Sequence, residues 1–213
     1  MRRTALFSAL VLSLGLAAGQ VGAQAPAEPY EVEVWADAEY AASGELVSLE
    51  FVDAGQYPDA FLANLRSRIA AREYTAPVVD GQPASFETGV RVQITVTPGA
   101  GGGQVKIDAI TDSARVVRMT EARIPAGTDG ADWNGVLIAR CLVTAKGRCN
   151  LAGVEDRSGM DGATADRFAK SMLSDWRFKP QRVGGKPIES EVTIPIRLEA
   201  AGTERPTIRG RQY

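Results

Sequence analysis

The sequence predicts an α+β protein of two ββαβ repeats, each a three-stranded antiparallel sheet packed on one helix. Three observations carry that expectation. The apolar spacing changes from alternate residues to a helical stripe and back within each half. Turn signals at Ser43-Gly44, Asp80-Gly81 and Lys146-Gly147 separate the periodic segments. The two halves also align on each other at an offset of 103 to 104 positions, and a repeat fixes an architecture before any single element does.

The 213 residues are 45% hydrophobic and 23% charged, enough for a core and for one or two domains. A net charge of −2 gives no basic field for nucleic acid. The chain has no histidine, which removes the commonest general base and metal ligand. Arg2 and Arg3, the apolar run Thr4 to Ala18 and the small residues that follow read as a secretory signal peptide over 1–23, cleaved after Ala23. Cleavage after Ala25 would leave Pro26 first. The alternative is an uncleaved inner-membrane anchor, but the run is shorter than the ~20 residues a spanning helix needs. The expected compartment is the periplasm.

The mature chain opens with the leader QAPAEP, Gln24 to Pro29. Glu31 to Trp35 with Ala38 to Tyr40, then Leu46 to Val52, read as a hairpin around Ser43-Gly44. Pro58 begins a helix whose apolar stripe is Phe61, Leu62, Leu65 and Ile69. Val90, Val92, Ile94 and Val96 alternate with polar residues as a half-buried strand. This first repeat spans 24–98. The stretch 99–132 reads as a linker: the loop Thr97 to Gly103 leads into it, and extra strands could form at Val105 to Ile110 and Val116 to Met119. The second repeat spans 133–199. It has strands at Val136 to Val143 and Cys149 to Glu155, a break at Ser158-Gly159, a helix over Ala163 to Asp175 and a last strand, Glu191 to Leu198. Residues 200–213 form a tail.

In the alignment, Gly44 falls on Gly147, Ala38 and Leu46 on Cys141 and Cys149, Tyr74 on Phe178, and Gly81-Gln82-Pro83 on Gly185-Lys186-Pro187. Glu87 falls on Glu191, and Val90 to Ile94 on Ile194 to Leu198. A unit of about 65–70 residues has a modest core, so Trp176 and Phe178 are expected to anchor it at the corner from helix to strand.

These residues resemble the C-terminal domain of the energy transducer TonB family. The likeness covers roughly residues 133–199. It rests on the glycine-turn hairpin, the helix ending in Trp176-Arg177-Phe178-Lys179-Pro180, the Gly185-Lys186-Pro187 turn and an alternating strand with Pro195 near its end. The first half looks like a diverged second copy, with Tyr57-Pro58 before its helix and Arg72 where Trp176 stands. The resemblance implies a protein-binding module that takes short extended segments of outer-membrane receptors in TonB-type transmembrane transport. Energised members also pass on force from the inner membrane. This sequence shows no family histidine, no Pro-Glu/Pro-Lys spacer and, on the reading above, no retained anchor. The binding role is therefore expected and the motor role is not.

The candidate partner-binding residues are Glu191, Val192, Thr193, Ile194, Pro195 and Ile196. An extended peptide adds to a sheet edge through backbone hydrogen bonds. Pro195, lacking an N–H, suits an edge strand or a ladder gap and also blunts an edge against stray pairing. Pairing between the repeats would consume the same edge. Cys141 and Cys149 flank Lys146-Gly147 and face one side of the hairpin, directly opposed or diagonal if the turn is bulged; a structural disulfide is expected. Asp129, Asp132, Glu155, Asp156 and Asp161 lack calcium-loop spacing and read as solvated surface. Gly99 to Gly103 lacks the Gly-Lys-Ser/Thr of a phosphate loop. Lys179, Arg182 and Lys186 form a basic patch, either a solvated rim or a contact for an acidic partner. No catalytic group, metal site, cofactor or nucleic-acid partner is expected. Two readings stay open: a periplasmic module that binds an envelope protein, and a scaffold whose repeats pack on each other or form a homodimer.

Overall fold

The computed structural model describes residues 28–99, 103–120, 135–155 and 159–198. The signal-peptide reading, the carboxylates Asp129, Asp132 and Asp156, and the tail lie outside these residues. The architecture is mixed α+β, mostly antiparallel sheets with two helices. The first half runs β1 (Tyr30–Tyr40), β2 (Leu46–Phe51), a 3-10 turn (Ala54–Gln56), α1 (Asp59–Ala70), β3 (Val78–Val79), β4 (Gln82–Pro83), β5 (Phe86–Thr97), β6 (Gln104–Ser113) and β7 (Arg115–Arg118). The second runs β8 (Gly135–Val143), β9 (Cys149–Glu155), α2 (Gly162–Leu173), β10 (Arg177–Lys179), β11 (Arg182–Val183), β12 (Lys186–Pro187) and β13 (Ser190–Leu198).

β5 is the axis of the larger sheet. On one side it pairs with β1 from Tyr40↔Phe86 to Tyr30↔Val96, and β2 lies beyond β1. Its other side is shared. β6 covers Gly89 to Thr97, and β11 continues the ladder at Phe86 and Glu87, with β12 outside it. This sheet has six strands instead of the three expected, because two segments were not assigned to it from sequence. β6 was read as part of a linker, and β11–β12 belongs to the other half. The alternation in β6 breaks because of a bulge opposite Gln93/Ile94. Ile110 and Ile107 therefore sit three apart yet both pack on the core.

The smaller sheet is β13-β8-β9, three antiparallel strands. Between the sheets, β10 pairs with β7, and among the described strands β3 pairs with β4 alone. Each helix lays its stripe on one sheet face. Leu65 and Ile69 of α1 pack with Val34, Ala36, Tyr40, Val90, Val92 and Ile94. Phe168, Ala169, Met172 and Leu173 of α2 pack with Leu137, Ala139, Cys141, Val143, Val192, Ile194 and Ile196. The halves also interlock: Val183 and Ile188 pack on the first core, and Ala114, Val116 and Met119 on the second.

Pro58 is the N-cap of α1, one position before the first helical residue. Asp161 caps α2, its carboxylate accepting from the Thr164 N–H at 2.9 Å and from the Thr164 hydroxyl at 2.6 Å. The helix ends at Leu173, where its apolar face ends and two residues before the expected Asp175, and Trp176 N–H then donates to the Leu173 carbonyl. That tight exit turns the indole into the core.

Several local geometries recur at positions 103 or 104 apart. Ala41 N–H donates to Glu45 O and Gly44 N–H to Ala41 O; likewise Thr144 donates to Arg148 and Gly147 to Thr144. Gly44 (φ +87°) and Gly147 (φ +70°) are both left-handed, and a Cβ on either would strike a carbonyl oxygen, that of Tyr74 or Phe178. Only glycine fits both demands. Val78↔Pro83 with Val79↔Gln82 matches Arg182↔Pro187 with Val183↔Lys186, each around two residues of positive φ. Tyr40↔Phe86 in β1–β5 stands where Val143↔Ser190 stands in β8–β13.

Candidate functional site

The strand expected to meet a partner is β13. Its ladder with β8 is unbroken, from Ser190↔Val143 to Leu198↔Gly135, with Pro195 opposite Ile138. On its other side no strand is paired among the described residues. Val192, Ile194 and Ile196 are buried against α2, whereas Glu191, Thr193, Pro195 and Arg197 are exposed. The six candidate residues thus divide by strand alternation. Three hold the sheet on its core, and three stand on the outer face beside an unpaired backbone edge. The matching strand β5 has both edges paired, one by β1 and the other by β6 and β11.

Trp176 and Phe178 are both buried in the second core. Their ring centroids are 6.4 Å apart, and the indole N–H donates to the Thr120 carbonyl at 3.3 Å. Phe178 N–H donates to the Gly147 carbonyl at 2.9 Å, which fastens β10 to the turn between β8 and β9. In the first half Arg72 takes the place of Trp176 and forms a two-pronged ion pair with Asp112 on β6, at 3.2 and 2.8 Å. Beside it Tyr40, Tyr74 and Phe86 form a stack with centroids 4.3 and 5.4 Å apart. Burial, the Asp112 carboxylate and Tyr40 push the Tyr74 hydroxyl up to about 12, with Arg72 opposing.

Cys141 and Cys149 form a disulfide with Cα atoms 5.4 Å apart. A bulge at Arg140/Cys141 sets Cys141 opposite Leu151 and Cys149 opposite Val143, so the bridge runs diagonally. It ties the edge strand β9 to the central strand β8.

The basic patch divides. Lys179 reaches Asp37 of β1 at 3.0 Å, and Arg182 lies 3.8 Å from Glu87 of β5, while Lys186 is exposed. Asp37 also receives Arg115 at 2.9 and 3.0 Å. Burial pushes the Asp37 carboxyl up, but hydrogen bonds from Arg115 and Lys179 outweigh it and hold the group below its usual range. This triad joins β1, β7 and β10, and so joins the two halves. Neither this triad nor Arg72–Asp112 is visible in the sequence, because the partners lie 78 and 40 positions apart and no local spacing connects them. Of the candidate carboxylates, Asp161 is the cap of α2 and Glu155 ends β9. Among the described residues no three His, Cys, Asp or Glu side chains are grouped to hold a metal, and no helix is long and apolar enough to cross a membrane.

Comparison with protein-family models, with curated proteins and with solved structures finds no match.

Proposed function

We propose that this chain is an exported, non-enzymatic binding module of two ββαβ units related to the TonB C-terminal domain, and that β13 takes up an extended segment of a cell-envelope protein as an added strand. The observation that carries the reading is the contrast between β5 and β13. Aligned by the repeat, both are last strands pairing with the first strand of their unit. On β5 the far edge is filled, and β6 lies on it antiparallel from Gly89↔Ser113 to Thr97↔Gln104. On β13 that edge is unpaired among the described strands. β6 is therefore an internal template for the missing strand, giving its direction and its length. Backbone bonds would supply affinity, and the exposed Thr193, Pro195 and Arg197 would meet alternate side chains of the partner. An outer-membrane receptor segment is the partner the resemblance favours, and the periplasm the compartment.

Photo-crosslinking tests this in the intact envelope. A photoreactive residue at Thr193 or Arg197 is expected to capture an outer-membrane protein, and one at Ser48 on β2 is not. Equal capture at all three positions, or none at Thr193 and Arg197, would refute the reading.

A second reading has its own observation. The β11–β12 hairpin docks on the edge of β5, whereas its counterpart β3–β4 pairs with no further described strand and leaves Val78 66% and Val79 43% exposed. A scaffold or homodimer that uses this apolar hairpin would be concentration-dependent in mass, and Val79→Asp would abolish the dependence.

A further inference from the structure

The β13-β8-β9 sheet has a second edge that is unpaired among the described strands, on β9, and α2 runs beside it. Between them lies a groove of about 620 Å³. One wall is the consecutive run Cys149 to Gly153 of β9, and the other is the Asp166, Arg167 and Lys170 side of α2 with Ser174 at its C-cap. Leu151 and Leu173 give it an apolar floor. An unpaired strand edge facing a helix across an apolar-floored groove is the arrangement through which PDZ-type domains accept an extended peptide. The first half does not repeat it: there Arg66 lies over the Phe51 ring, 5.6 Å from its centroid, at the corresponding side of α1 and β2.

Charge says what the groove would take. Arg167 and Lys170 stand on the helix wall against the single carboxylate of Asp166. On the opposite face of the sheet, Arg140 of β8 reaches toward the β9 edge across Gly153. Its Nη2 lies 3.0 Å from where a Gly153 Cβ would be. Gly153 has no side chain, so it leaves that path open. A strand added to β9 projects alternate residues to the two faces. One set would rest on Leu151 and Leu173 under the rim of Arg167 and Lys170, and the other would stand beside Arg140. We infer that the β9–α2 groove binds an extended polypeptide segment of alternating apolar and acidic residues by strand addition to β9. The site is distinct from the β13 edge and does not depend on it. The Cys141–Cys149 bridge, which pins β9 to β8, holds the receiving edge in register.

The probe is a capped hexapeptide of alternating glutamate and valine, titrated into the full chain while residue-specific hydrogen exchange is followed. It is expected to bind and to slow exchange at Asn150 to Gly153. Arg140→Glu, exposed and so leaving the fold intact by circular dichroism, is expected to weaken binding about fivefold, the scale of one partly screened charge contact, and Lys170→Glu, on the face that takes the valines, is expected to weaken it less. A peptide N-methylated at alternate residues on the hydrogen-bonding side is expected to lose binding altogether, since it cannot extend the ladder. The inference is overturned by absence of binding at about 1 mM peptide. It is also overturned by equal binding of a lysine–valine peptide, by undiminished binding of the N-methylated peptide, or by protection confined to β13. The last outcome would leave the β13 reading standing and remove this one alone.

Discussion

Gly147→Ala should be among the most damaging single-methyl changes in the protein. Gly147 sits at φ +70° in the turn between β8 and β9, and its added Cβ would meet the Phe178 carbonyl oxygen. The left-handed backbone costs a non-glycine residue about 1 kcal/mol or a little more. Relieving the clash moves β10 away and breaks the Phe178 N–H bond to the Gly147 carbonyl, at 2.9 Å, worth about 1 kcal/mol. Displacing Phe178 also loosens its packing in the second core, so the whole change should cost about 3 kcal/mol. Gly44→Ala meets the Tyr74 carbonyl in the same way at φ +87° and should cost about 2 kcal/mol. Gly81→Ala is the control. It has the same sign of φ, +80°, but nothing lies within 4 Å of its Cβ. Only the backbone cost, about 1 kcal/mol, applies there. Urea unfolding of the three variants, with the slope checked for constancy, gives the order directly. If Gly147→Ala loses no more stability than Gly81→Ala, the claim that this turn is clamped by the strand after the helix is wrong.

Four further outcomes follow from the same geometry. Asp37 has its folded pKa held below the unfolded value near 3.9, so its contribution is present above that pH and is lost as pH falls through the folded pKa. Asp37→Asn should flatten the acid limb of the stability–pH curve and cost about 2 kcal/mol at pH 7 by leaving Arg115 and Lys179 without their carboxylate. Replacing both Cys141 and Cys149 by alanine should cost about 2 kcal/mol, the chain-entropy value for so short a loop, and should speed exchange in β9 more than in β1. Trp176→Ala should cost about 3–5 kcal/mol in calorimetric or urea unfolding, as the loss of a buried indole does. Arg72→Ala should loosen β6 by removing its ion pair with Asp112, and a larger rise in amide exchange in β6 than in β1, relative to the unchanged protein, would report it.

Much of the architecture was legible because it depends on local rules. Strand alternation at Val90 to Val96, the glycine turns at Gly44 and Gly147, and the Asp80-Gly81 hairpin all specify their own conformation within a few residues. The disulfide was legible too, since a tight hairpin leaves two cysteines on one face little else to do. What escaped depends on distant partners. β6 was read as part of a linker because a bulge at Asp108 spoils its alternation and its mate β5 precedes a glycine-rich loop. Nothing in Arg182-Val183 says that it pairs with Glu87 and Phe86 in the other half. Lys179 and Arg182 looked like a free basic rim, yet both face carboxylates of the first half. Of the candidate site, the alternation of β13 was readable. That its outer edge is unpaired among the described strands while that of β5 is filled is a property of topology, and a sequence does not carry it.

The most direct test of the central claim is residue-resolved hydrogen exchange of β13 with and without the envelope segment captured at Thr193 or Arg197. The β13 amides between Glu191 and Leu198 which exchange freely in the chain alone should become protected, at alternate positions, as those of β5 already are beneath β6 and β11. Unchanged exchange along β13 when the segment is bound would contradict it.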